Sequence, residues 1–132
     1  MKDDGKYNDF RDLEVWQRCR VIRKKIWELT KRLPLEERYR LSDQMIRSSR
    51  SSTACIAEGY GRFHFQENIQ FCRQSRGSLY ELIDHTLVAE ESDCIDHRFS
   101  RRTYHIKCKR LWNNPAKNKS CDFSDFQKSI CL

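Results

Sequence analysis

Apolar residues return at intervals of three and four along most of this chain, the period of helices that each bury one face. Val15, Cys19, Ile22, Ile26, Leu29 and Leu33 alternate the two spacings and form a continuous bundle seam. A polar stretch over residues 1–9 precedes them, and Asp9 or Asp12 is placed to cap the first helix. Pro34 ends that helix and can open the next, with Glu36 and Glu37 favourable near the new N-terminus. The second helix is predicted from about Glu36 to Ala57, with Leu41, Met45, Ser48, Ser52 and Cys55 or Ile56 as its seam. Serine and alanine narrow that seam and let a neighbouring helix come close. The Arg/Ser run over residues 47–52 lies inside this repeat and reads as helix, not as a flexible segment. The third helix is predicted from His64 to about Ser92, with Phe65, Ile69, Cys72, Leu79, Ile83 and Thr86 on its buried edge. A fourth repeat starts at Ile95, Phe99, Thr103 and Ile106, and Asn113-Asn114-Pro115 stops it. The pattern therefore predicts an all-α, antiparallel, up-down four-helix bundle with a weak or truncated fourth helix. Its segments are a polar start (1–9), a bundle domain (10–112) and an irregular basic tail containing cysteine (113–132).

Two glycine-bearing segments refine this picture, IAEGYGR over residues 56–62 and RGSLYEL over residues 76–82. Gly59 and Gly61 follow a helical pattern and are expected to stop it through a left-handed C-cap. Gly77 sits inside an apolar repeat, where glycine costs about 1 kcal/mol relative to alanine. That cost points to close approach of a second helix. Arg76 falls in the same buried frame, so a partner is expected for it, Glu58 or Glu81. Leu13, Trp16 and Trp27 lie off the seam of the first helix. They are either large side chains half covered at its edge or a second face covered by another subunit.

These motifs also carry a resemblance. IAEGYGR, an aromatic-flanked polar turn and FCRQSRGSLYEL come after RDLEVWQ at residues 11–17 and LPLEERYRLSDQMIRSS at residues 33–49. In that order they resemble the four-helix-bundle proteins encoded in intervening sequences of bacterial 23S rRNA genes. The chain is more distantly similar to the accessory protein of diversity-generating retroelements. The resemblance fades beyond His97, and Thr53 and Cys55 stand where the family often has proline and asparagine. It implies a self-associating bundle, a pentameric ring in the family's known form, with RNA or another nucleic acid as partner. The retroelement relatives imply instead a structural adaptor that grips a protein such as a reverse transcriptase. None of the shared motifs is catalytic.

Composition places the chain as one small domain of 132 residues, for which oligomerisation would add stability. No stretch has the length and apolarity of a signal core or a membrane span, so a cytoplasmic, bacterial address is expected. The net charge of +7 is unevenly placed. Residues 1–97 hold 17 Lys+Arg and 17 Asp+Glu, whereas residues 98–132 hold 9 and 2. A basic surface on the bundle must therefore come from arrangement and not from excess. The seven cysteines are an odd count, and reduced thiols are the expectation in a reducing compartment. The Cys-rich, aperiodic region from about residue 98 admits two readings: a shifted reading frame in a decayed copy, or a natural divergent tail.

Arg11, Arg18, Lys25 and Arg32 recur every seven residues, with Lys24 and Lys31 beside them. On a helix they would form a stripe roughly 30 Å long that can follow nucleic-acid phosphates. The competing reading is a solvated face paired with acids. Trp16, Tyr60 and Phe63 are candidates for stacking on single-stranded RNA, although such rings more commonly serve cores and interfaces. Cys94 and His97, with His105 and Cys108, have ligand types suited to zinc, but their separation is not that of a standard finger, and no metal or other cofactor is assigned. No Gly-rich phosphate loop is present, and His64 with Glu67 and Asp84 with His85 are isolated pairs. Cys72 lies on a core edge. The expectation is a protein without catalysis.

Overall fold

The computed structural model describes residues 9–62 and 64–98. They form three α-helices, α1 (Glu14–Thr30), α2 (Asp43–Tyr60) and α3 (Phe65–Glu91), with no strand among the described residues. A 3₁₀ turn, Phe10–Asp12, leads into α1. A second 3₁₀ turn, Leu35–Glu37, and a π-turn, Arg38–Ser42, lead into α2. The expected fourth helix and tail fall mostly outside the described residues: Phe99, Thr103, His105, Ile106, Cys108 and residues 113–132 all do.

Cross-helix contacts run in opposite senses along consecutive helices, so α1, α2 and α3 are antiparallel. Phe10 meets Tyr60, and Arg23 meets Thr53. On the other side of α2, Ser51 meets Ser78 and Cys55 meets Gln74. The α1 seam is buried throughout, from Val15 to Leu33. Leu13 joins it in the core and is not part of a second stripe. Asp9 caps the 3₁₀ turn, with its N–H donating to Asp12 Oδ2 at 3.2 Å, whereas α1 starts at Leu13 without a side-chain cap.

Helix α2 packs on α3 through hydroxyls. Ser52 Oγ donates to Ser49 O at 2.7 Å and Ser78 Oγ to Gln74 O at 3.1 Å. Each bond stays within its own helix, so a small polar side chain can be buried at little cost. Two more bonds cross the interface: Ser75 Oγ donates to Ser52 O at 2.7 Å, and Ser51 Oγ lies 2.9 Å from Ser78 Oγ. The buried line of α3 is therefore Asn68, Cys72, Ser75, Ser78, Leu79, Leu82, Thr86 and Ala89. The expected edge shares Cys72, Leu79 and Thr86 with it. Phe65, Ile69 and Ile83 instead lie on a partly covered flank.

Arg76 belongs to that flank, which corrects the expected buried ion pair. It is exposed and has no side-chain partner among the described residues. Glu58 bonds Arg62 at 2.9 Å, and Glu81 lies 3.3 Å from His85. The glycines are corrected as well. Gly59 lies inside α2, and Gly61 caps it with a right-handed backbone (φ −76°, ψ −4°), so neither uses a left-handed conformation. Gly59 is the close-approach position: a Cβ there would sit 2.8 Å from Asn68 Oδ1 and 2.9 Å from Phe71 Cβ. A Cβ on Gly77 would meet nothing within 4 Å. Among the described residues the left-handed one is Asp93 (φ 55°), which follows α3. Cys94 N–H donates to Ala89 O at 2.9 Å and Asp93 N–H to Glu90 O at 3.1 Å, closing the last turn in a Schellman motif.

The two glycines should respond oppositely to alanine. Phe71 Cβ is fixed to the backbone and cannot rotate away, so Gly59→Ala must separate α2 from α3 at about 1–3 kcal/mol of overpacking. Gly77→Ala gains about 1 kcal/mol of helix propensity in open space. Urea denaturation should show the midpoint falling for the first variant and rising for the second. Equal losses would contradict the packing described.

Candidate nucleic-acid interface

Where α1 passes α2, side chains from both helices line an open groove of ≈ 450 Å³. Helix α1 supplies Arg23, Lys24, Trp27 and Glu28, and α2 supplies Ile46, Ser49 and Arg50. Helical geometry explains the grouping. Arg23 and Trp27 are one turn apart on the flank of α1 that faces α2, and Ile46 and Arg50 are one turn apart on α2. Trp27 is 45% exposed. Lys31 Nζ stands 5.5 Å and Arg50 Cζ 5.8 Å from its centroid. Arg23 Nη1 donates to Thr53 Oγ1 at 2.8 Å, and the same hydroxyl donates to Arg50 O at 3.0 Å. One threonine thus fixes the guanidinium of α1 against the backbone of α2.

The site's electrostatics follow the helices. Helix α1 carries five Lys/Arg and two Asp/Glu, α2 two and two, and α3 two and five. The described bundle is therefore basic at α1 and acidic at α3, although residues 1–97 as a whole are neutral. In the groove, Arg23, Lys24 and Arg50 face the single carboxylate of Glu28. An exposed cation over a ring contributes about 0.5–1 kcal/mol. Stacking a nucleobase on a ring contributes about 1–3 kcal/mol.

The expected basic residues divide between two surfaces. Lys24 lines the groove, and Lys31 lies over Trp27 and pairs with Glu28 at 2.9 Å. Arg18 and Lys25 are on α1 but face the other flank, since Lys25 and Trp27 are two residues apart, roughly 200° around the helix. Arg18 pairs with Glu14 one turn away, and Lys25 is exposed. Arg11 lies before α1 and pairs with Asp9, and Arg32 lies after its end. The stripe is thus interrupted at both ends. These exposed pairs are worth little and leave the cations available to a phosphate. The expected stacking rings are also reassigned. Phe10 packs edge-on against Trp16 (5.4 Å) and Tyr60 (6.5 Å), which closes that end of the helices. Phe63 lies outside the described residues. Sequence reasoning missed Arg23 and Arg50 as site residues. The signal for Arg23 was its one-turn spacing from Trp27, while nothing in the pattern linked Arg50 to either.

Cys72 is 1% exposed, and burial pushes its thiol up to about 12, with a smaller contribution from Cys55. It holds almost no thiolate at neutral pH and is a poor nucleophile. His85 pairs with Glu81 and His97 with Glu90. Among the described residues no group of three or more His, Cys, Asp or Glu side chains could hold a metal ion. His105 and Cys108, half of the zinc candidate, lie outside them. No helix among the described residues is long and apolar enough to cross a membrane.

These features define a small all-helical protein with a concave cationic surface between its first two helices. The profile of the 23S rRNA-intervening sequence protein family matches residues 11–111, and the chain belongs to that family. The match runs past His97, where the motif resemblance fades. None of the curated proteins matches the chain.

Thiol labelling tests the burial of Cys72. At mildly alkaline pH, iodoacetamide should modify the half-exposed Cys55 well before Cys72 in the folded chain, and both together in urea. The folded state keeps a proton that the unfolded thiol releases above 9.0, so this group's contribution to stability is lost as pH rises from there towards about 12. Equal labelling rates in the folded chain would place Cys72 at the surface.

Proposed function

We propose that this chain is a non-catalytic, self-associating helical bundle that binds RNA through the basic surface of α1. The observation that carries the reading is charge segregation: five Lys/Arg against two Asp/Glu on α1, reversed on α3. A polyanion is attracted to the first surface and repelled by the second. Membership of a family named for 23S rRNA intervening sequences agrees with an RNA partner but names no target. The reading keeps four helices and an oligomer. The flank of α3 bearing Ile69, Ile83 and the exposed Tyr80 and Leu87 supports both, because a further helix or a second copy would cover it. That exposed apolar flank also favours a second reading, a structural adaptor for a protein partner.

Salt separates the two. Phosphate contacts release counterions, so RNA affinity should fall steeply on a logarithmic salt scale, whereas a helix-groove protein interface depends far less on salt. Replacing Arg18, Lys25 and Arg32 together with glutamine should weaken RNA binding and flatten the salt slope by about two to three. Unchanged binding in that variant would remove this flank of α1 from the interface. Sedimentation at micromolar concentration should show an oligomer, and a strictly monomeric species would reject self-association.

A further inference from the structure

We infer that the groove between α1 and α2 is a stacking subsite for an unpaired base of single-stranded RNA, with Trp27 as the platform. The inference rests on the RNA-binding reading and deepens it from a charged surface to a recognition site. Three observations converge. Trp27 is a large ring left 45% exposed in the wall of a concave groove. Its volume of ≈ 450 Å³ falls within the range of roughly 300–1,000 Å³ typical of small-molecule sites. Three cations line it against one carboxylate, which suits a nucleotide: an apolar, flat base joined to an anion. The third observation is positional. Arg23 is held by Thr53 beside the ring, while Lys31 and Arg50 lie over the ring and are exposed. They can swing from the ring to flanking phosphates as a base arrives.

The geometry selects single strands. Bases in a duplex are stacked on one another and cannot turn a face to a ring inside a groove, whereas an unpaired base can. Duplex RNA can still meet the outer cations of α1 through its phosphates. Trp27 should therefore discriminate strandedness, and the cations should set the salt dependence.

The test measures fluorescence anisotropy of a labelled oligoadenylate single strand and of the same strand paired with oligouridylate, using the full chain. Trp27→Ala should weaken single-strand affinity by about tenfold, leave duplex affinity nearly unchanged and keep the salt slope. Trp27→Phe should restore most of the loss, which a folding defect would not allow. Arg50→Gln should reduce the salt slope by about one. Wild-type affinity in Trp27→Ala, or equal losses for both RNAs, would overturn the stacking subsite while leaving RNA binding intact. A wild-type chain that binds neither RNA would overturn both readings.

Discussion

The hydroxyl-lined contact between α2 and α3 is the constraint on which the described architecture depends. Two helices approach this closely only where their facing side chains are small, and small side chains bury little apolar area. Serine resolves the conflict because its Oγ can return to a carbonyl of its own helix. Ser52 and Ser78 both do so, and Ser75 reaches across to Ser52 O. The contact gains dispersion and shape fit while its polar groups remain bonded. Ser42 marks the edge of this solution. Its Oγ, within the π-turn before α2, is the buried side-chain polar atom that lacks a partner among the described residues.

The other side of α2 is built differently, and that difference creates the site. The α1 seam is aliphatic, with Ile22, Ile26 and Leu29. Bulky side chains leave a crevice along the α1–α2 edge, which Trp27 walls without filling. The fold thus separates a tight polar contact from a looser apolar one and places its cations beside the second.

Much of this was legible from residue spacing. Cys19, Ile22, Ile26 and Leu29 announce their helix because every buried position is apolar. The α3 frame was misjudged because hydropathy weighs Phe65, Ile69 and Ile83 above Asn68 and Ser75. The polar set is buried only because its hydroxyls and amide find partners in three dimensions. Gly77 looked like the point of close approach and Gly59 merely terminal, yet the reverse holds, since close approach depends on what lies opposite. The groove was hidden for the same reason. Arg50 and Trp27 are far apart in the chain, and only antiparallel pairing of α1 with α2 brings them together.

The end of α3 has a further consequence. Its last turn is closed by bonds among neighbours, Cys94 to Ala89 and Asp93 to Glu90. The stop is therefore written into six consecutive residues, 89–94, while Cys94 and Ile95 also pack against the core. Because the bonds that close α3 are local, a change after Cys94 leaves its last turn capped by the same two N–H groups.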